Sequence, residues 1–326
     1  MSPKHTTSAF HTAKPIRIRI PKLLDILLVT DPEQIVWLNQ HPNLTRPIDP
    51  SRSWLHRILD GRLRGDLSLD GQPLPVFESR DDPRRAQRQK ELFAAFEGLR
   101  GLPGAERDVI VDYISGHAQL PEIGVVVQQW CGRLFSERYR STEETYTAGR
   151  LFASWPSSPP WRTLRDRLSG RLARAKAVLG TAAENDVHCV HGTSVGMENI
   201  ARSVRKLRKA AHQADTRTLS ADEIVRECLS VPPALVRGCS GVVAAPFLDR
   251  PLSDRTLVVF LLGRAFAETG DLDVAFLSDT WSACPARVVI PEMLRAVWRA
   301  AQHDEAEAKR LLSIDTWSRL WHRAVS

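Results

Sequence analysis

The chain has 326 residues, of which 43% are hydrophobic and 25% charged, a composition typical of a globular protein with one large domain or two ordinary ones. No run of about 18 apolar residues occurs, and the polar residues 1–14 lack an apolar core segment, so we expect neither a membrane span nor a secretory signal. Five scattered cysteines without a CxxC pair predict a reduced, cytoplasmic protein rather than a disulfide scaffold.

The formal net charge of +7 would attract acidic partners or anionic ligands. The arginines are spread over several predicted helices rather than gathered in one tract with aromatic residues. This distribution argues against a nucleic-acid-binding protein, and the composition gives no reason to expect a membrane partner.

The first predicted elements are short strands and a capped helix. Alternating Ile and Arg at residues 16–20 predict a strand, and a second apolar run covers 25–30. Asp31 as N-cap, followed by Pro32, predicts a helix that ends at residue 40. Residues 46–80, rich in Gly, Pro and Asp, are expected to be irregular. We expect residues 1–15 to form a flexible tail.

The rest of the chain is mostly helical in pattern. Periodicity predicts helices at 83–99, 109–115, 123–139, 162–179, 186–213, 219–229, 288–301 and 305–320, strands at 242–245 and 256–262, and loops at 155–161 and around residue 270. The helix at 186–213 is unusually long. No linker divides residues 16–326, which favours a single domain that is mainly α with minor β.

Cys284 is the most informative single residue. It follows a polar loop and precedes the helical stretch at 288–301, so the backbone amides and dipole of a helix start would lower the pKa of its thiol. A thiolate held in this way is a candidate axial ligand for heme iron. The alternative is a buried structural cysteine.

Several segments, taken in chain order, resemble the cytochrome P-450 family of heme-thiolate oxygenases. They are residues 29–47, 82–96, 191–195, 226–237, 255–262 and 283–297. The resemblance implies a cytochrome P-450-like single domain, with a long central helix and a loop that carries the cysteine ligand. The cofactor that it implies is heme b.

The resemblance also implies roles for individual residues. Cys284 would be the metal ligand, with Arg237, Arg85 and Arg88 as candidates for the heme propionates, Trp281 beside them, Gly192 against the porphyrin, and Ser194, Thr193 and His191 as distal catalytic residues. His191 has a second interpretation as a hydrogen-bonded core histidine. With His188 and Cys189 it also suggests a metal site, although one helix cannot supply a closed tetrahedral ligand set.

The chain departs from the family pattern at several of these positions. Ser194 and Val195 stand where the family carries an acid and an alcohol, and Leu277, Thr280, Ser282 and Ala286 replace the customary residues around the cysteine. We therefore expect a heme-thiolate monooxygenase or peroxygenase of secondary metabolism that acts on a small to mid-sized apolar metabolite, driven by peroxide or catalysing an atypical reaction. An acidic ferredoxin-type protein is the expected electron donor. The alternative is a heme-free binding or recruitment module.

Overall fold

The computed structural model describes residues 14–21, 24–46, 48–98, 104–117, 123–154, 158–213 and 218–303. Within these ranges the chain is mainly helical with a small sheet, as predicted. It divides into two compact units. The prediction of one domain over residues 16–326 stays a prediction.

The first unit comprises residues 1–67, 76–88 and 231–284 and is built on a five-stranded sheet in the order β1-β2-β7-β6-β3. Its strands are β1 (Ile16–Ile20), β2 (Leu24–Val29), β3 (Leu44–Thr45), β6 (Leu235–Cys239) and β7 (Leu257–Phe260); its helices are α1 (Pro32–Gln40), α2 (Trp54–Asp60), α12 (Leu262–Thr269) and α13 (Leu272–Phe276). β2 and β7 are parallel, whereas the other pairs are antiparallel. Leu27, Val29, Leu38 and Phe260 belong to the apolar core of this unit.

The second unit comprises residues 68–75, 89–230 and 285–326, and its described elements are helices apart from the short hairpin of β4 (Ser68–Leu69) and β5 (Gln72–Pro73). It contains α4 (Gly104–Ser115), α5 (Ile123–Arg133), α6 (Glu143–Ser154), α7 (Pro160–Leu168), α8 (Arg171–Ala182), α9 (Val187–His191), α10 (Met197–Ala211), α11 (Ala221–Cys228) and α14 (290–303). α3 (Pro83–Gly98) begins in the first unit and continues in the second.

Capping side chains fix the starts of α1 and α11, and the first of these caps is predicted from the sequence. Asp31 accepts a hydrogen bond from the amide of Gln34 at the start of α1, with Pro32 in the first turn. Ser220 and Glu223 form a reciprocal capping box at the start of α11.

Other predictions about elements were wrong. Residues 46–80 are not irregular throughout, because Ser53 caps α2 and a π-helical turn, Gly61–Asp66, continues it. The helix expected at 162–179 is broken, since Gly170 adopts a φ of +71° between α7 and α8. Residues 242–245 contribute only the isolated bridge from Val243 to Leu252, instead of a strand.

Further differences concern element ends and elements that the pattern did not reveal. The helix expected at 123–139 ends at Arg133, and the loop around residue 270 contains α12 and α13, separated by Gly270 at a φ of +65°. α6 was not predicted. Part of the expected loop at 155–161 is helical, since α7 begins at Pro160. Residues 1–13, 155–157 and the helix predicted at 305–320 lie outside the described residues. None of the described helices is long and apolar enough to cross a membrane.

Candidate functional site

The cysteine loop closes back on the end of α13. Leu277 ends this helix in the left-handed region, with a φ of +51°. The amide of Thr280 then donates to Leu277 O (3.1 Å), and the amide of Cys284 donates to Phe276 O (2.8 Å). These bonds hold the backbone of a half-buried Cys284 next to the end of α13.

The helix start after Cys284 is displaced from its predicted position. A single 3-10 turn, Pro285–Arg287, follows the cysteine directly, and α14 begins at residue 290 rather than 288. The dipole effect of a helix falls off within its first turn. The predicted effect of a helix start on the Cys284 thiol stays a prediction.

Asn39, at the end of α1, anchors this loop. Its amide nitrogen donates to the hydroxyls of Thr280 and Ser282, both at 2.8 Å, and its backbone carbonyl accepts from Nε1 of Trp281 at 2.6 Å. The side chain of Asn39 is fully buried. Three consecutive contacts thus fix the loop from residue 280 to 282, two residues before the cysteine.

Arg237 lies in the middle of the sheet, on β6, and its side chain has no exposed surface. Its Nε donates to Asn39 Oδ1 and one Nη donates to Ser282 Oγ, both at 3.1 Å. No described carboxylate pairs with it. Burial, together with the charge of Arg85, lowers the pKa of Arg237 to about 9, which expresses the cost of holding an unpaired cation there.

Four arginines surround the indole of Trp281. Their guanidinium carbons lie 4.5 Å (Arg85), 4.8 Å (Arg46), 5.3 Å (Arg237) and 5.6 Å (Arg80) from the ring centroid. Cation–π contacts of this kind contribute roughly 0.5–2 kcal/mol each. We call Arg46, Arg80, Arg85, Arg237 and Trp281 the arginine cluster.

Much of the positive charge in the arginine cluster is uncompensated. Nε of Arg46 and both Nε and one Nη of Arg85 are buried without a hydrogen-bond partner. Burial lowers the pKa of both groups, and for Arg46 the neighbouring Arg237 and Arg85 lower it further, while the carboxylate of Glu78 offsets part of the lowering in both. Buried charges of one sign cost several kcal/mol unless a counter-ion is present. An anion with more than one acidic group could offset this cost.

The other two basic residues of this region have partners. Arg80 donates to the carbonyls of His41 (2.7 Å) and Gln40 (3.1 Å), and Arg88 pairs with Glu78 at 2.8 Å and with Asp82 at 3.4 Å. The structure thus brings three predicted residues together, Arg85, Arg237 and Trp281, whereas Arg88 is occupied by carboxylates.

Sequence reasoning missed Arg46, Arg80 and Asn39 as members of the site. Arg46 follows β3 and precedes a proline, a position that resembles many solvated loop arginines. The only signal in the sequence is an isolated charge between apolar segments.

In the second unit, the helical path from Val187 to Ala211 contains a π-helical turn at Gly192–Gly196. The hydroxyls of Thr193 and Ser194 are fully buried and donate to the backbone carbonyls of Cys189 (2.7 Å) and Val190. Bonds of this type are common for hydroxyls within helices. The catalytic roles of both residues stay predictions, and either hydroxyl would have to leave its carbonyl to donate a proton elsewhere.

Gln128, on α5, holds the π-helical turn. Its buried amide nitrogen donates to the carbonyls of Thr145 and Thr193, both at 2.9 Å, while its oxygen accepts from the hydroxyls of Ser141 (2.6 Å) and Thr145 (2.9 Å). A π turn leaves carbonyls without their usual helical partners, and Gln128 satisfies one of them. No sequence motif pointed to this residue.

Gly192 has a packing explanation. A Cβ at this position would lie 2.5 Å from Cε2 of Phe135, so the phenylalanine ring occupies the space of a side chain. The predicted approach of a flat cofactor to Gly192 stays untested. His191, beside it, is half-buried at the end of α9.

The neighbouring thiols are unsuited to chemistry near neutral pH. Burial raises the pKa of Cys189 to about 12 and raises that of Cys131 further. Among the described residues, no group of three or more His, Cys, Asp or Glu side chains could hold a metal ion. The helix at 187–191 therefore gives no support to the metal-site interpretation of its histidines and cysteine.

No model of a known protein family matches the chain, and no curated protein matches it. Solved structures do resemble it. The mycinamicin VIII methyl hydroxylase MycCI from Micromonospora griseorubida is 17% identical with a TM-score of 0.51, over 90% of this chain and 87% of that one. The cytochrome P-450 CxnD, for C–S bond formation in chuangxinmycin biosynthesis, is 12% identical with a TM-score of 0.51, over 86% and 80%.

A third structure, the P-450 RauA complexed with a biosynthetic intermediate of aurachin RE, is 14% identical with a TM-score of 0.50, over 85% of this chain and 83% of that one. At these identities the likeness concerns the fold. The chain therefore has a cytochrome P-450-like fold, and the fold class inferred from the sequence is confirmed.

Proposed function

We propose that this protein is a heme-thiolate oxidoreductase of the cytochrome P-450 type. The observation that carries the proposal is the arginine cluster, which gathers three buried guanidiniums without enough carboxylates and lies in the same loop system as Cys284. Heme b carries two carboxylates and an iron that accepts a thiolate. The residues present fit such a group.

Within this proposal, Cys284 supplies the thiolate, and Arg46, Arg85 and Arg237 hold the propionates. Guanidinium groups suit this role because they bind carboxylates through two parallel hydrogen bonds. The three guanidinium groups make cation–π contacts with the indole ring of Trp281. Asn39 binds Trp281 and Ser282 and so holds the loop that leads to the cysteine. When bound, a heme with an axial thiolate supplies oxidative chemistry on oxygen or peroxide.

The substrate that we propose is a small to mid-sized apolar metabolite. We further propose peroxide as the oxidant. The hydroxyl of Ser194 already donates a hydrogen bond to the carbonyl of Val190 and does not titrate near neutral pH, so it is a poor substitute for the acid that delivers protons to oxygen in the family. His191 is then the remaining titratable group of the predicted distal set and our candidate for proton transfer. If a reductase is used instead, an acidic ferredoxin-type donor would complement the net charge of +7.

The heme-free alternative is the weaker one. A module without heme would retain the energetic cost of the uncompensated arginine cluster with no anion to offset it. Carboxylate-bearing heme removes that cost, so the buried charges favour the cofactor-binding form.

Absorption spectroscopy tests the proposal. Protein expressed with ample heme precursor should show a Soret band that moves to about 450 nm after reduction in the presence of CO, the behaviour of a thiolate-ligated heme. Cys284→Ala should remove that band, whereas Cys228→Ala, a buried thiol in the same chain, should leave it unchanged. Colourless protein would refute the function, and a band that survives Cys284→Ala would refute the ligand.

The oxidant and the proposed role of His191 need separate measurements. His191→Ala should lower peroxide-driven turnover while it preserves the reduced CO spectrum. Equal turnover of the variant and the parent protein would remove the histidine from the mechanism.

A further inference from the structure

Helix α7 exposes three large apolar residues, while two of its polar residues are buried. Trp161, Leu164 and Leu168 are 65%, 55% and 78% exposed, whereas Thr163 and Asp166 are 7% and 1% exposed. A surface helix of a globular protein ordinarily shows the opposite arrangement. Folding alone therefore does not explain the three apolar side chains.

The geometry of α7 directs these side chains away from the protein. With 3.6 residues per turn, Trp161, Leu164 and Leu168 form one stripe along the helix. Around the helix axis, the mean direction of this stripe is about 160° from that of the buried Thr163 and Asp166. The inner face is held by ion pairs, since Asp166 accepts from Arg171 at 2.9 Å and lies 3.8 Å from an Nη of Arg165. Rotation of the helix to bury the stripe would break these pairs and leave a buried carboxylate unpaired, which is costly.

The surroundings of the stripe are strongly basic. Residues 158–183 contain five arginines and one lysine but a single acidic residue, the buried Asp166. Arg165 and Arg167 lie on either side of the stripe, within about 70° and 90° of its mean direction. The exposed surface of α7 thus combines an apolar ridge with positive flanks.

We infer that α7 docks on an anionic lipid bilayer. Trp161, Leu164 and Leu168 would enter the boundary between headgroups and acyl chains, where tryptophan is enriched, and the arginines would contact lipid phosphates. Three apolar side chains are too few for the core of a specific protein interface, which takes about 20–30 residues on each side. A bilayer requires no matching groove. The inference revises the expectation from composition that no membrane is involved.

Vesicle flotation tests this surface directly. The full-length protein should float with phosphatidylcholine vesicles that contain about 30% phosphatidylglycerol and should bind pure phosphatidylcholine far more weakly, because charge supplies part of the attraction. Replacing Trp161, Leu164 and Leu168 together by Ser should lower the partition coefficient at least about tenfold. Arg165→Gln with Arg167→Gln should reduce the preference for anionic vesicles several-fold.

A matched control uses the other exposed aromatic and aliphatic pair on a helix. Trp54→Ser with Ile58→Ser, at 52% and 48% exposure on α2, should leave flotation unchanged. All substituted side chains are exposed, so thermal unfolding should stay within the range expected of surface changes. Quenching of Trp161 fluorescence by brominated lipid, measured as the difference from Trp161→Phe, should confirm insertion.

Two outcomes would overturn the inference. The first is equal flotation of the triple Ser variant and the parent protein. The second is binding to poly-L-glutamate without binding to anionic vesicles, which would identify an acidic protein surface as the occupant. Neither outcome depends on whether the protein binds heme, so this test and the spectroscopic test of function can fail separately.

Discussion

We expect Arg46 to lower the free energy of unfolding of the heme-free protein and to strengthen the binding of heme. The variant Arg46→Met separates these two effects. In the heme-free protein, Arg46 is a buried cation with an unsatisfied Nε, repelled by Arg237 and Arg85. Methionine keeps a flexible apolar stem and removes the charge. We therefore expect the variant to be more stable than the parent protein when heme is absent.

The magnitude follows from competing contributions. An uncompensated buried ion costs several kcal/mol, and replacement of buried charge by apolar residues gains about 1–4 kcal/mol in other proteins. Against this stands the loss of a cation–π contact with Trp281, at 4.8 Å, of roughly 0.5–2 kcal/mol. The net expectation is stabilisation of the heme-free protein by about 1 kcal/mol, measurable by urea unfolding.

Arg80→Met is the matched control, because Arg80 faces the same indole but donates to two backbone carbonyls. Its removal leaves these carbonyls without their donors and should destabilise the heme-free protein by about 1–2 kcal/mol. Opposite signs for the two variants would support the account of uncompensated charge. If Arg46→Met destabilised the protein as much as Arg80→Met, the reasoning would be refuted.

The same variant should weaken heme binding. A hydrogen bond to a charged partner contributes about 1.5–3 kcal/mol, so loss of one guanidinium should accelerate heme transfer to apomyoglobin roughly 10–100-fold. Unchanged transfer would place Arg46 outside the propionate site.

Three further predictions concern other parts of the chain. Gly192→Ala should lower the free energy of unfolding by about 1–3 kcal/mol, because the added methyl group would clash with the ring of Phe135. Gly196→Ala should raise it by about 0.5–1 kcal/mol, because the nearest atom to its added methyl group is 3.7 Å away and alanine favours the helix. Equal effects of the two variants would refute the packing explanation for Gly192. Gln128→Leu should cost about 2–4 kcal/mol in urea unfolding, since four buried hydrogen bonds are lost; a cost below about 0.5 kcal/mol would contradict its role. Asp25→Asn should weaken the dependence of the free energy of unfolding on pH at acid pH, and an unchanged dependence would show that Asp25 does not contribute to it.

The sign for Asp25 follows from its contacts. Burial by itself raises the pKa of the carboxyl, but hydrogen bonds from Arg17 and Thr256 outweigh this effect, and the pKa of Asp25 lies below its ordinary value of 3.8. The folded protein therefore holds the charged form more strongly than the unfolded chain does. Its contribution is fully present above that value and is lost as the pH falls through the lowered pKa.

The sequence predicted those parts of the site that short motifs can carry. Cys284 and Arg237 lie in segments whose order resembles a known family, Trp281 lies two residues before one of these segments, and periodicity located β1, α1 and the long central helix. Arg46 and Asn39 were not assigned to the site because their importance arises only when four segments, separated by up to about 240 residues, converge on one indole ring. Burial of a charged side chain is a tertiary property, and a single sequence does not encode it in a local pattern.

The wrong assignments have local causes. Gly170 interrupts apolar periodicity by adopting a positive φ, and such a break is indistinguishable in sequence from a glycine tolerated within a helix. Around Gly270 the error is the reverse, because a glycine is a turn signal and the short helices α12 and α13 on its two sides were assigned to a loop. The catalytic roles of Thr193 and Ser194, inferred from the resemblance of their sequence position to a catalytic turn, stay predictions. In the folded chain, the preceding turn of the helix takes both of them as donors.

The π-helical turn at Gly192–Gly196 has a consequence for the ancestry of this chain. A π turn accommodates one residue more than the regular helix, and here the amide of Met197 donates to the carbonyl of Gly192, five residues earlier. Deleting one residue there would restore an α-helix. It would also change the angle around the helix axis between the side chains of His191 and Met197 by about 100°. A single-codon insertion or deletion is therefore enough to change which side chains this helix presents, without any change in its ends.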